Sequence, residues 1–511
     1  LNDALEQLVG AELIFRRGTP PDAEYTFKHA LVQDTAYSTL LRSRRQQLHA
    51  RIATTLESQF PEILAAQPAT LAQHCTEAGL NEKAVDYRLK AGQQAVARSA
   101  MAEAVAQLEK GLGLLDSMAP SPARQQQELD LRIALGRALI ATTGYSSAEV
   151  GQTFARASSL AEQLGRFDYV VPLLHGQFGY HLVRSEHRLA LSFAERLQQI
   201  DAARGGAVAL LLGRFQTAIV HYFLGEFPAA SALFERCQDL HEPLVRQTVS
   251  ALTADDGYSM LLAYSAITLA YLGHFDQARS RADEAVLEAR RLRNAYALVS
   301  CLLWRCWVAW LCEFPHQVRR YANETLDLSN KQGFPLWAGW AMIWCGWSSA
   351  VIEHASDSVS LLTNGRSLLS ASGAALSTAY NLALLAEAYA CLGQPAEGLS
   401  RIREAAQFIE ATDERYHEAE VYRVRGDLLH ATGDLTAAEQ SYRRALAVAA
   451  RQSAKALELR AAISLARLWQ EQDRHSDARD LLAPIYGWFT EGFDTPVLQE
   501  AKVLLNQLSN K

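Results

Sequence analysis

The sequence predicts an all-α solenoid, a stack of helix hairpins that repeats about every 40 residues. The first observation is a turn signature, a glycine followed within a few residues by a small residue. It starts at positions 273, 313, 353, 393, 433 and 473, with earlier copies at 185 and 225. At 313 and 353 glutamate replaces the glycine, at 473 aspartate and at 185 serine, yet the step is kept. The second is a small residue that recurs in phase with this signature, where two helices can cross closely. These small residues are Ala218, Ala266, Cys306, Gly346, Ala386, Gly426 and Ala466.

Each period reads as a helix, a short turn, a second helix and a longer loop. In the clearest copy Tyr422–Ala431 forms the first helix, Gly433 marks the turn, and Ala438, Tyr442 and Ala445 form the apolar stripe of the second helix. These hairpins resemble tetratricopeptide repeats (TPR), lengthened beyond the usual 34 residues. A TPR-like alpha-alpha superhelix of roughly ten helix pairs is therefore predicted for residues 61–511, with a concave groove. Eight extra residues between positions 241 and 256 shift the frame once.

Residues 1–60 follow a different pattern. Asn2–Val9 is predicted as a helix, Glu12–Arg16 and Glu24–Lys28 as strands, Gly18–Asp22 as the turn between them, and a further helix begins at Ala30. A helix, a hairpin and a helix in this order form the second half of a winged-helix domain. We therefore expect a partial winged-helix segment at the N-terminus, with its first half upstream.

Composition excludes several classes of function. The net charge is -7 and the pI is about 6.1, so the chain lacks the basic balance of a nucleic-acid-binding protein. Seven scattered cysteines without a C-x-x-C pair predict free thiols and a cytoplasmic location. Residue 1 is Leu and no leader pattern follows, so we expect the chain to begin inside a longer protein. The uncharged stretch Gln332–Ile352 has the length of a membrane span but contains Pro335 and fits the repeat frame, so no membrane partner is predicted.

No catalytic pattern is complete. The G-x-x-x-x-G-K-[ST] phosphate loop is absent, and neither His241-Glu242 nor His417-Glu418 is followed by the second histidine of a zinc-protease helix. Gly346–Ala350 is similar to a nucleophile elbow but lacks the final glycine and the preceding strand. We therefore predict no enzyme active site, no metal site and no cofactor within these residues.

Tryptophan is concentrated in one part of the chain, because seven of the nine tryptophans lie between positions 304 and 347. In the TPR frame the first helix of each pair lines the concave groove. Trp304 and Trp344 are accordingly expected to pack between helices. The four predicted to face the groove are Trp307, Trp310, Trp340 and Trp347. Two interpretations remain open, a ligand or peptide pocket and a thick hydrophobic core, since an aromatic stripe on a helix serves either. Nearby Arg305, Glu313 and His316 are candidates for orienting a bound partner.

Several short segments between positions 25 and 150 carry a family resemblance. They are Phe27–Asp34, Ala36-Tyr37, Leu40–His49, Leu71–His74, Glu77–Leu80, Lys90–Gln93, Arg98–Ala100 and Glu128–Arg132. They resemble the junction region of large bacterial regulatory ATPases, which join a class III adenylate/guanylate cyclase domain, an AAA/STAND-type ATPase and a C-terminal TPR array. Cys75 departs from this pattern, which has an aromatic residue there.

The resemblance implies a role for His29. Phe27-Lys28-His29 matches the Phe-x-His of STAND winged helices, in which the imidazole reaches the phosphates of ADP. The resemblance therefore implies that His29 is a nucleotide sensor. It also implies that an upstream ATPase binds ATP or ADP. The alternative is a histidine held by local hydrogen bonds.

The predicted function is regulatory. The chain is expected to bind a protein, a peptide or a small ligand in its concave groove and to contact its own upstream ATPase. Two alternatives remain: a purely structural assembly scaffold, and the effector-sensing tail of an ATPase-type transcriptional regulator.

Overall fold

The computed structural model describes residues 2–19, 23–60, 62, 66–200, 206–252 and 256–509. The chain forms two compact units. The first comprises Leu1–Ala91 and Glu109–Gln127, and the second comprises Gly92–Leu108 and Glu128–Lys511. The second unit contains the candidate site.

The first unit begins with the predicted helix, hairpin and helix. The α-helix α1 spans Asn2–Gly10, the strands β1 and β2 span Ile14–Arg17 and Glu24–Phe27, and α2 spans Ala30–Ser38. The two strands are antiparallel, with Ile14 opposite Phe27. Residues 20–22 of the predicted turn lie outside the described residues. The order of elements agrees with the expectation, whereas the assignment to a winged-helix domain stays a prediction.

The remaining described helices continue without another strand among the residues that the structure describes. They are α3 (Arg42–Gln59), α4 (Pro68–Ala78), α5 (Asn81–Ala97), α6 (Met101–Leu115), α7 (Pro122–Thr143), α8 (Ala148–Leu164), α9 (Val170–Val183), α10 (His187–Gln198), α11 (Gly206–Phe223), α12 (Phe227–Glu235), α13 (Pro243–Leu252), α14 (Gly257–Leu272), α15 (Phe275–Arg291), α16 (Ala295–Leu311), α17 (Pro315–Gln332), α18 (Pro335–Glu353), α19 (Ser358–Ala371), α20 (Thr378–Cys391), α21 (Pro395–Thr412), α22 (Glu418–Ala431), α23 (Leu435–Gln452), α24 (Lys455–Glu471), α25 (His475–Tyr486) and α26 (Pro496–Ser509).

The second unit confirms the all-α, TPR-like solenoid. Helices α14 to α25 alternate as first and second members of hairpins, and each first helix also contacts the first helix of the next hairpin. The extra residues predicted between positions 241 and 256 hold α13, a helix outside the hairpin alternation. The first helices α14, α16 and α18 are apolar on nearly every face, and every described residue of α16 from Tyr296 to Leu311, except Leu298, is buried.

The two repeating positions have the predicted structural roles. The turn position has a positive φ at 185, 225, 273, 313, 393, 433 and 473, while at 353 the left-handed residue is the following one, His354. Glutamate, aspartate and serine occupy some of these positions at a conformational cost that glycine avoids. The crossing positions are all buried, from Ala218 to Ala466. A Cβ built on Gly346 would lie 2.7 Å from the carbonyl oxygen of Ser358 in α19.

Gly346→Ala is therefore expected to lower the free energy of unfolding by about 1–3 kcal/mol, because the new methyl group meets a backbone atom that cannot move alone. The matched control is Gly113→Ala, at an exposed helical glycine where an added Cβ would meet no atom within 4 Å. The control is expected to gain about 0.5–1 kcal/mol, because alanine is the better helix former. Urea unfolding of both variants checks this prediction, and a Gly346→Ala variant as stable as the parent would contradict the close helix crossing.

Successive turns of the superhelix contact each other within the second unit. The amides of Ala375 and Leu376 both donate to the carbonyl of Val183 at 2.9 Å. The buried Glu414 accepts from the Ser185 hydroxyl at 2.9 Å, across 229 sequence positions. These bonds join segments that are far apart in sequence, so the interior of the superhelix is closed by its own loops.

Exposed ion pairs add a third contact between turns. Arg279 donates to Asp494 at 2.8 Å and 2.7 Å, across 215 positions.

No helix among the described residues combines the length and the apolar character that a membrane crossing needs.

Candidate functional site

An aromatic cluster fills the interior of the superhelix. The 40-residue repeat places rings at equivalent positions of consecutive first helices, namely Tyr264, Trp304 and Trp344. The ring centroids of Tyr264 and Trp304 lie 4.4 Å apart, and Trp304 stacks on Trp307 at 5.0 Å. Trp307 also stacks on Tyr380 at 5.2 Å. Aromatic contacts of this kind stabilise a core beyond the area that they bury.

A cavity of about 140 Å³ lies against one side of this cluster. Trp304, Trp307, Trp337 and Trp340 form one wall, and apolar side chains of α9, α11 and α14 form much of the remainder. Segment 374–377, which carries the bonds to Val183, closes the cavity on another side. The volume matches that of an apolar cavity able to hold one benzene-sized ring.

The predicted groove tryptophans are divided between different surroundings. Trp307 and Trp340 line the cavity, as does Trp304, which was expected to pack between helices. Trp310 is fully buried in the cluster and does not line the cavity. The Trp347 indole donates to the Glu387 carboxylate at 2.8 Å.

The polar candidates near the tryptophans lie elsewhere. Arg305 pairs with Asp283 at 2.7 Å, Glu313 pairs with Arg460 at 3.2 Å, and His316 is exposed. None of the three lines the apolar cavity among the described residues.

The polar groups of the cavity wall come from residues that the sequence reasoning missed. Gln216 is 1% exposed, and its side-chain nitrogen lies 2.7 Å from Nδ1 of His175. The amide oxygen of Gln216 has no hydrogen-bond partner within the described part of the chain, and neither do the indole nitrogens of Trp304, Trp307 and Trp337. Burial and the nearby Arg137 lower the pKa of His175 to about 4, so this imidazole is neutral at pH 7. The available sign was a polar residue on an otherwise apolar helix face, since Gln216 lies at helical spacing from Leu212, Ile219 and Phe223.

A buried network of charges lies beyond the other side of the aromatic cluster. Arg423 donates to Glu420 at 2.8 Å and to Glu387 at 2.6 Å. Arg460 donates to Glu420 at 2.9 Å and lies over the Trp310 ring at 4.7 Å. Burial disfavours the ionised form of Glu420, yet the two arginines lower its pKa to about 2. Burial raises the pKa of Glu387, although Arg423 opposes the rise.

This network borders a second cavity of about 410 Å³. Its walls carry mixed charge, from Glu313, Arg423, Asp427, Arg460, Arg467 and Glu500. The cluster of rings therefore separates an apolar cavity from a charged one, both inside the second unit.

His29 lies in the first unit, at the junction between β2 and α2. It is exposed and precedes the first residue of α2, and its side chain makes no capping hydrogen bond. The predicted contact with ADP phosphates stays a prediction.

Comparison with known proteins finds tetratricopeptide repeats in part of the chain. Residues 376–451 match the tetratricopeptide repeat family model. An uncharacterized protein of Rhizobium meliloti (strain 1021) is 24% identical over 473 residues, which are 92% of this chain and 46% of that protein. The chain thus spans less than half the length of this relative.

Two solved structures are similar to the chain at low identity. The Rap protein complexed with competence and sporulation factor is 13% identical, with a TM-score of 0.51 over 73% of this chain and 99% of that chain. The STAND protein with a tetratricopeptide repeat sensor from Pyrococcus horikoshii is 16% identical, with a TM-score of 0.38 over 75% of this chain and 57% of that chain. The first of these shows the TPR-like fold.

Proposed function

We propose that the chain is the ligand-sensing regulatory region of a multidomain bacterial signalling ATPase of the cyclase-linked type. Its ligand binds in the apolar cavity beside Trp304 and Trp307, and no catalytic step takes place in these residues. The observation that carries the proposal is an aromatic-walled cavity whose buried polar atoms lack partners. Largely apolar cavities with a few polar groups are the usual form of a small-ligand site.

The size of the cavity favours a small ligand over a long peptide. An extended peptide needs about 3.3 Å of channel per residue. The bonds from Ala375 and Leu376 to Val183 close the interior at the cavity, so space for one ring or one side chain remains. The Rap protein named above carries a bound factor on a similar fold, which supports binding by a superhelix of this kind.

Regulation requires that the ligand bind two conformations differently. The bonds between superhelical turns offer such a difference, because they border the cavity and can be broken without unfolding a helix. A ligand that fills the cavity would favour the closed superhelix, and this preference would be passed to the ATPase upstream. The alternatives differ in their upstream domains: a cyclase domain in the reading frame supports the proposal, whereas a helix-turn-helix supports a transcriptional regulator.

Ala374→Phe tests the cavity. Ala374 lines the cavity and is partly exposed, so a phenyl group there is expected to occupy the ligand space. The parent protein, purified from its natural host and then denatured, is expected to release a small molecule detectable by mass spectrometry. The Ala374→Phe protein is expected to release at most a tenth as much.

Ala355→Phe is the matched control, since Ala355 is also a partly buried loop alanine but does not line the cavity. Helicity of both variants is measured by circular dichroism. Equal release from the parent and both folded variants would contradict the proposed site, and absence of any released molecule would favour a structural scaffold.

A further inference from the structure

The wall of the apolar cavity contains no side chain that is ionised at pH 7. Among the described lining residues there is no aspartate, glutamate, lysine or arginine. His175 is the basic group in the wall, and burial keeps its imidazole neutral at pH 7. Arg137 acts on His175 but does not line the cavity, so a charged ligand would lose its hydration without contacting a counter-charge. This costs far more than the burial of a neutral polar group.

The same wall contains polar atoms that lack partners. The indole nitrogens of Trp304 and Trp307 are donors, and these two side chains are 7% and 3% exposed. The amide oxygen of Gln216 is an acceptor without a donor. A buried polar atom without a partner costs about 1–3 kcal/mol, so a ligand that supplies partners gains from each of them.

The position of these groups suggests how they are used. Gln216 lies on α11 and the two tryptophans lie on α16, so donors and an acceptor lie on separate helices that both line the cavity. A single planar ring bearing one small polar group would contact the edges of the indoles of Trp304 and Trp307, because Trp304 and Tyr380 already stack on Trp307. Its polar group would then lie near Gln216 and the indole nitrogens, which are buried atoms that a small rotation of each side chain would bring into contact with it.

We infer that this cavity selects a neutral, ring-sized apolar compound that carries one hydrogen-bonding group, of the carboxamide or carbonyl type, and rejects the corresponding carboxylate. The inference rests on the proposed ligand-binding function and specifies the chemistry of the ligand. The stacked indoles supply the apolar surface, and the unpartnered donors and acceptor supply the specificity.

Three probes of similar size test the inference: toluene, benzamide and benzoate. Benzamide and benzoate have nearly the same shape and differ in charge, while toluene lacks a hydrogen-bonding group. Isothermal titration of the parent protein is expected to show benzamide binding at least tenfold more tightly than benzoate. In a Trp304→Phe/Trp307→Phe variant, which keeps the rings and removes the indole donors, benzamide is expected to bind about fivefold to tenfold more weakly and toluene about as before.

Trp488→Phe is the control, because this exposed tryptophan does not line the cavity and its replacement should change neither affinity. Benzoate binding as tightly as benzamide would overturn the selection for a neutral ligand. An equal response of toluene and benzamide to the double substitution would overturn the role of the indole donors. Either result leaves the cavity as a binding site, whereas failure of all three probes to bind the folded parent would overturn both the inference and the proposed function.

Discussion

Arg460→Met is expected to lower the free energy of unfolding by about 3–5 kcal/mol, the usual cost when one partner of a buried ion pair is removed. Arg460 is 7% exposed and donates to Glu420, which is 1% exposed. Without this guanidinium, Glu420 and Glu387 share Arg423 as their cation inside the protein. Methionine keeps most of the side-chain volume over the Trp310 ring, so the loss of stability measures the effect of removing the charge. Chemical unfolding at pH 7 measures it.

Arg467→Met is the matched control. Arg467 pairs with Glu500 at 2.9 Å, but its side chain is 57% exposed, and exposed pairs contribute at most about 1 kcal/mol. Adding Glu420→Gln to Arg460→Met removes the carboxylate left behind and is expected to recover part of the loss. If Arg460→Met costs no more than Arg467→Met, the network is not a buried unit, and the separation between the apolar and the charged cavities loses its basis.

Much of the solenoid could be predicted because its signals are local and repeat. A residue with positive φ ends each first helix, and a small residue marks each helix crossing, so both recur in the sequence with the period of the fold. The turns at Glu313 and Asp473 could be predicted although neither residue is a glycine, because the 40-residue period gives their positions. Where the left-handed residue moved by one, to His354, the period alone could not show it.

The site was predicted less well because it depends on contacts between superhelical turns. The repeat frame indicates which face of a helix points inward, and this placed Trp307 and Trp340 at the cavity. It does not indicate how tightly the superhelix winds. The tight winding seen here brings Glu414 to Ser185, closes the groove, and buries Trp310 completely. The position of Trp304 could have been inferred from Tyr264, 40 residues earlier. His175 and Gln216 lie 41 positions apart on consecutive first helices, so the repeat brings them near each other, but it does not indicate that the two side chains pair.

Stability is expected to fall with decreasing pH below about 6.5, and His417 is a main cause. This side chain is 1% exposed, and its ring lies 4.3 Å from Tyr380 and 5.3 Å from Trp310. Burial lowers the pKa of His417 to about 3, against the opposing effect of Glu420. The unfolded chain binds a proton below about pH 6.5 that the folded chain does not take up until about pH 3. The stabilising effect of the neutral ring is therefore complete above pH 6.5 and is lost as the pH falls toward 3, at about 1.4 kcal/mol per pH unit.

His417→Phe removes this proton while keeping a ring among Trp310 and Tyr380. The free energy of unfolding of the variant minus that of the parent is expected to be about 2 kcal/mol larger at pH 5 than at pH 8. The reason is that the unfolded parent gains a proton that the variant cannot bind. Any constant packing effect of phenylalanine cancels in this difference between the two pH values, and His316→Phe, at an exposed histidine, controls for the loss of a histidine. Urea unfolding of the parent and of each variant at pH 5 and at pH 8 gives the four free energies of unfolding that each comparison needs. A His417→Phe difference that does not change with pH would mean that water reaches this ring in solution, and that the aromatic cluster does not separate the two cavities.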